Sequence, residues 1–538
     1  MTRTRINKNG SGSHAPEATL VSPSHTNRAH SHSVLFPASH EFATQLSSEA
    51  PACFHDLNLD QIVAAIISLC PEYNLAPYYY THLNDPAMII YRQEVMQDLE
   101  SPALMATIEA FSKRMQAMRA LSPLAEKHYC RYERERWFLD AVDAYREAVE
   151  KLCGDLGALD LTSRGMQTFR TALIEYVASD HFRKLVAESV KLKSEFGAIR
   201  YCLRIDDGSV TVRPYEAESD YSAAIEAAFS KFRLGAAQDY RVQDLGPIGM
   251  NHIQDQVVER VALLFPEAFR ALERFYTEHA DYLDGLIANF DCEIQFYVVY
   301  LTYIGTLRIA GLSFCYPQIK QNKEISSNAS FDLGLAARLT AKQSTVVTND
   351  FFLHEPERML VVSGPNQSGK TTFARMFGQL HWLACLGCPV PGTAAQLLLF
   401  DQLFTHFERE EDIRTLRGKL QDDLVRVRQI LDQATPNSIV ILNEIFSSTT
   451  LKDAVSLGKR VLDKLTTLDL LGICVTFLDE LPELNEKTVS VVGNFDPEHP
   501  EVRTYKLERK PPDGLSHALA IAEKHRVTYD WLTRRINA

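Results

Sequence analysis

The chain has 538 residues, enough for two or more domains, since a single core stops growing at roughly 250–300 residues. Its 46% hydrophobic and 23% charged residues are those of a globular protein. The net charge of −13 excludes a generally basic surface for nucleic acid, though not a local basic patch. Its cysteines are scattered and outline no disulfide framework. The lone pair Cys385 and Cys388 lacks a second ligand pair for zinc and reads as packing thiols. No apolar stretch follows Arg3, Arg5 and Lys8, and the most apolar run, Phe296–Leu307, is too short to span a bilayer. The expectation is a soluble, cytoplasmic protein without membrane association.

Residues 1–50 are rich in Ser, His, Asn, Thr and Gly and predict a disordered tail. Its histidines, such as His14, His25 and His32, are irregularly spaced and read as solvated. From 55 to 320 the pattern is helical. Leu57–Leu69 opens it, and Asn84-Asp85-Pro86 caps a helix over Ala87–Leu99. Helices follow over Pro102–Leu121, Glu133–Leu152 and Met166–Ser194. Alternation on either side of Asp207-Gly208 predicts a β-hairpin at 198–214. Helices resume at Asp220–Phe232 and Ile253–His279. The strongest, Tyr282–Ala310, carries an apolar face and ends at Gly311. Pro317–Ser330 is polar and reads as a connection. Over 325–538, buried strands at Met359–Ser363, Ser438–Leu442, Ile473–Phe477 and Val489–Val492 alternate with helices, the pattern of an α/β nucleotide-binding sheet.

Gly364-Pro365-Asn366-Gln367-Ser368-Gly369-Lys370-Thr371 fits GxxxxGK[ST], between an apolar strand and a helix from Thr371 to about Ala384. Such glycines let backbone N–H groups approach phosphate oxygens, and the helix N-terminus adds positive potential. ATP is therefore the expected ligand, with Lys370 reaching its phosphates and Thr371 binding Mg²⁺. A second strand ends in Asn443-Glu444. Glu444 is the candidate general base and metal partner, and Asn443 accepts a hydrogen bond at the metal without bringing charge.

The run Ser363–Thr372, with its Gly-Pro-Asn opening, resembles the phosphate loop of the MutS-type DNA mismatch-repair ATPases. Leu403-Phe404-Thr405, Ser438–Thr450, Val475-Thr476 and Ser516–Ala522 resemble further segments of that family, and Asn349 matches an Asn close to its nucleotide. The resemblance covers 325–538 well and 55–320 more loosely. It implies an α plus α/β chain, a helical core with lever helices followed by an ABC-type P-loop ATPase domain. It implies a nucleotide site of Asn349, Gly364–Gly369, Lys370, Thr371 and Thr372. The implied assembly is a homodimeric clamp on double-stranded DNA, mismatched or branched, in which Tyr282–Ala310 is a lever helix and the hairpin belongs to a clamp-like insertion.

Three departures accompany it. The short polar tail ahead of the helical region leaves no room for the family's mismatch-reading domain, so mismatch recognition by that route is not expected. The family's Asp before the catalytic Glu is Asn443 here, and its His after the next strand is Phe477. The Ser that reaches a partner's γ-phosphate is Gly418, flanked by Arg417 and Lys419 as substitute donors. The expectation is thus a slow ATPase acting in DNA repair or recombination. The alternative is an ATP-dependent switch with the same head acting on a protein. A transporter-type ATP-binding subunit is disfavoured, since LSGGQ is absent and Leu416–Leu424 stands in its place. The Lys191–Arg213 basic group is a candidate DNA contact interleaved with acids.

Overall fold

The computed structural model describes residues 32–37, 46–127, 131–206, 209–217, 252–365, 367–408, 418–478, 480–495, 503–511 and 528–536. They fall into two compact units, one drawn from Met1–Glu100, Thr162–Met166 and Cys292–Ala538, the other from Ser101–Leu161 and Gln167–Asp291.

The first unit is built on a six-stranded sheet. Its order is Leu403–His406, Ile439–Asn443, Leu471–Val475, Met359–Ser363, Thr488–Phe495, Arg503–Arg509, all parallel except the last, antiparallel strand. Met359–Ser363, Ile439–Asn443 and Leu471–Val475 are buried along their whole length, as strands covered on both faces must be. That continuous burial explains why their apolar runs stand out in the sequence. A second, four-stranded sheet contains Gln318–Lys320, Ala394–Leu398, Ile325–Ser330 and Asn349–Leu353. Two of these strands lie in the segment expected to be a polar connection. The polar side chains are accommodated because Ser327 and Ser330, both buried, hydrogen-bond to each other, so the apolar alternation that signals a strand is missing.

Residues 52–100 belong to this unit, not to a separate helical domain as the sequence pattern suggested. Gln379 of the helix Lys370–Cys385 donates to Leu57 O at 2.8 Å, Trp382 Nε1 to Tyr79 O at 3.0 Å, and Leu83 N to Cys385 O at 2.9 Å. Asp85 caps Pro86–Leu99 as expected, accepting from Ala87 N.

Ser33–Phe36 also depart from the tail expectation. Glu293 accepts from Ser33 Oγ at 2.8 Å and Val34 N at 2.9 Å, Tyr297 donates to Val34 O at 2.7 Å, and Arg92 lies over the Phe36 ring. The apolar triplet Val34-Leu35-Phe36 is diluted in a composition averaged over fifty residues. Burial pushes the Glu293 carboxyl up from 4.5 to about 7, against the hydrogen bonds from Ser33, Val34 and Leu35. A carboxyl whose folded pKa is raised holds its proton longer when folded, so stability is greatest below about pH 4.5 and falls as pH rises to 7, by up to about 3 kcal/mol. Thermal melts at pH 5, 6 and 7 are expected to fall more steeply for the wild type than for Glu293→Gln; parallel slopes would refute this.

The second unit is mainly helical. Pro102–Lys127 and Arg131–Gly157 pack along one another, and Phe138 meets Phe275, Tyr276 and Tyr282 edge-on. Two expected helices are each divided. The first breaks at Ser179, whose hydroxyl accepts from Phe182 N and caps Asp180–Ala198. The second breaks at Pro266, which opens Pro266–Glu278 after His252–Leu264, because proline fits a first turn but not a helix interior. The hairpin forms as expected, Tyr201–Asp206 pairing antiparallel with Ser209–Pro214. Its turn at 207–208 and the expected helix 220–232 lie outside the described residues. Gly285–Ile309 begins in this unit and ends in the first. Gly311 terminates it with φ of 88°, a left-handed stop. No helix among the described residues is long and apolar enough to cross a membrane.

Candidate nucleotide site

The strand Met359–Ser363 delivers the chain to the loop, and the helix Lys370–Cys385 leaves it. The turn depends on two glycines, Gly364 with φ of 118° and Gly369 with φ of 95°, a region costly for side chains. A Cβ on Gly364 would also lie 3.0 Å from Gly493 N on the neighbouring strand. Gly369 occupies the N-cap position of the helix with no side-chain cap, so the first-turn N–H groups point into the loop. Ser368 is fully buried, and its Oγ has no hydrogen-bond partner among the described residues.

Lys370 folds back over the loop, its Nζ donating to Gly364 O at 2.9 Å and Pro365 O at 3.0 Å. Burial holds its ammonium below the ordinary lysine value, opposed by Glu444 and reinforced by the positive charge of Arg503. Thr371 Oγ1 donates to Asn443 Oδ1 at 3.1 Å, which brings the helix start and the end of the strand Ile439–Asn443 together. Glu444 follows with a left-handed φ of 54°, its N–H tied to Val475 O at 2.9 Å. This uncommon backbone turns its side chain to the cavity wall.

These residues border a cavity of about 600 Å³. One end holds Gln367, Gly369, Lys370, Thr371, Thr372 and Glu444; the rest is largely apolar, with Phe331, Leu335, Leu339, Val346, Val347 and Met376, and Tyr505 beside Gly369. A polar, cationic end and a long apolar remainder match the two halves of a nucleotide. The donor set fits a triphosphate with Mg²⁺: backbone N–H groups and an ammonium for phosphate oxygens, and the Thr371 hydroxyl beside Asn443 and Glu444 for the metal.

A family model described as MutS domain V matches residues 360–508. The chain thus carries, over those residues, a segment similar to MutS domain V. It is 33% identical over 190 residues to the endonuclease MutS2 of Gemmatimonas aurantiaca, covering 35% of this chain and 23% of that protein. It is 28% identical over 214 residues to the DNA mismatch repair protein MutS of a Geobacillus species, covering 38% and 24%. It is 36% identical over 110 residues to that of Petrotoga mobilis, covering 20% and 14%. The chain thus spans less than a quarter of the length of these relatives.

In and around the matched segment the expected residues divide. Gln367, Gly369, Lys370, Thr371, Thr372, Asn349 and Glu444 line one cavity, whereas Asn366 lies outside the described residues. Asn349 is committed to the backbone of Arg503–Arg509, donating to Tyr505 O at 3.1 Å and accepting from Leu507 N at 2.8 Å. It holds the Tyr505 wall in place. Phe477 is 46% exposed and has no polar atom to offer. Gly418 caps the helix Lys419–Gln433. Lys419 is held by Glu408, and Arg417 and 516–522 fall outside the described residues. In the basic group, Lys191 pairs with Glu195, and Lys193 with Asp140 and Asp143. The apolar wall, including Tyr505, was missed by sequence reasoning. Its residues are spread from 331 to 505 with no local motif, and only the fold assembles them.

Proposed function

We propose that this cavity binds ATP with Mg²⁺, and that the chain is a slow DNA-binding ATPase working as a homodimeric clamp in DNA repair or recombination. The observation that carries the reading is the glycine-turned loop 364–369 opening on the same cavity as Glu444. The base would lie along Val346, Leu339 and Tyr505, and the triphosphate across the loop. Lys370 would exchange its bonds to Gly364 O and Pro365 O for phosphate oxygens. Thr371, Asn443 and Glu444 would hold Mg²⁺, which supplies charge neutralisation at the phosphates. Glu444 would orient the attacking water and take its proton. The slow rate follows from Asn443, which brings no charge, and Phe477, which offers no donor. The DNA and repair assignments rest on the names of the relatives, mismatch-repair MutS and endonuclease MutS2.

Asn443→Asp is expected to raise Mg²⁺-dependent turnover about tenfold, a barrier change of about 1.4 kcal/mol, by adding a carboxylate beside Thr371. Turnover measured against Mg²⁺ concentration checks it, and an unchanged curve would contradict it. The DNA assignment is tested by binding of linear, mismatched and branched duplexes against salt, with and without ATP. A clamp predicts a steep negative salt slope and a response to nucleotide. Flat binding to all three would favour instead a nucleotide switch acting on a protein, a reading supported by the net charge of −13.

A further inference from the structure

Beside the nucleotide cavity lies a second hollow of about 320 Å³, which shares Asp332, Leu335, Leu339 and Thr372 with it. Three cationic side chains line it: Arg338 and Lys342 from the end of the helix Leu333–Ala341, and Arg375 from the helix Lys370–Cys385. None of the three forms an ion pair within 4.0 Å among the described residues. Asp332, the only acid among the described residues of the wall, is buried; its oxygens accept from Leu335 N and Gln379 Nε2, and the charges of Arg375 and Arg338 act on it without a contact within 4.0 Å.

A helix C-terminus favours basic residues, which would account for Arg338 and Lys342 alone. It does not account for Arg375, which comes from the start of another helix and faces the same hollow, fixed by its Nε bond to Asp56 O at 3.0 Å. The last carbonyls of Leu333–Ala341 are taken by Lys342, Gln343 and Ser344 N–H groups, and Arg338 Nε makes a long bond of 3.4 Å to Gly334 O within the helix. Asn58 and the Thr372 hydroxyl add neutral polar atoms to the wall. Three cationic residues lining one concavity, on a chain of net charge −13, supply the charge that an anion would need.

We propose that this hollow binds a small phosphorylated anion, of the size of a diphosphate, separate from the triphosphate at the loop. Its concavity suits a small polyanion rather than a duplex, whose backbone calls for a row of cations on an open face. The shared Asp332 and Thr372 place its occupant against the wall of the nucleotide cavity, so the two ligands affect each other's affinity.

The test titrates pyrophosphate into the full chain by calorimetry. Lys370→Ala removes the phosphate-loop contribution, and binding of one pyrophosphate is expected to persist in that variant. Adding Arg338→Ala and Lys342→Ala, both on exposed positions, is expected to weaken it at least about tenfold, with unchanged thermal melting. No pyrophosphate binding, binding abolished by Lys370→Ala alone, or binding indifferent to Arg338→Ala and Lys342→Ala would each overturn the proposal. So would a double variant that loses duplex affinity but keeps pyrophosphate. A non-hydrolysable ATP analogue titrated into wild type separates the two readings: its failure to bind would sink the nucleotide assignment and leave the anion site standing.

Discussion

Glu444→Gln is expected to lower ATP turnover by about 10²- to 10⁴-fold, the range of a general base, while ATP affinity stays within a few fold. Gln keeps the side chain's shape and its place after the strand, so the φ of 54° is no worse served. What is lost is the ability to take a proton. Single-turnover hydrolysis on the wild type and the variant, with analogue binding measured alongside, checks this. Turnover that survives unchanged, at equal affinity, would show that Glu444 is not the base. A parallel loss of affinity would assign it to metal binding alone.

Lys370→Ala carries the second large effect. The ammonium is buried at one end of the cavity and held there by two loop carbonyls, Gly364 O and Pro365 O. Those bonds compensate its desolvation in the free protein and would be traded for bonds to phosphate oxygens. Hydrogen bonds to charged groups contribute about 1.5–3 kcal/mol each. Removing the donor of one or two is therefore expected to weaken ATP about 10²-fold and to reduce turnover at least as much. Equilibrium binding of a fluorescent ATP analogue reads the first effect. Affinity within threefold of wild type would place the triphosphate elsewhere.

Much of this site was legible because its polar end is local. Gly364 to Thr371 form one run, and Asn443-Glu444 follow one apolar strand, so spacing alone brings out both halves. Thr371 and Asn443 are 72 positions apart, yet their meeting is implied by the parallel sheet that ends both strands on one side. The apolar half was not legible, since Phe331, Val346, Met376 and Tyr505 come from separate elements. Asn349 shows a subtler limit. Its position near the cavity was inferred from resemblance, but its amide is spent on the backbone of the Tyr505 strand, which no local pattern reveals. The grouping of residues 52–100 with the sheet was hidden for a different reason. Pro86–Leu99 is buried on most of its circumference, and helical periodicity does not say which core a helix covers. The strands of the second sheet were lost because buried serines that satisfy one another imitate a loop.

The most direct test of the central claim, that ATP occupies this cavity with its base at the apolar end, is photolabelling with 8-azido-ATP followed by peptide mapping. The geometry predicts labels within Phe331–Asn349 or Arg503–Arg509, suppressed by excess ATP and lost with Lys370→Ala. ATP-sensitive labelling confined to peptides of the second unit would contradict it.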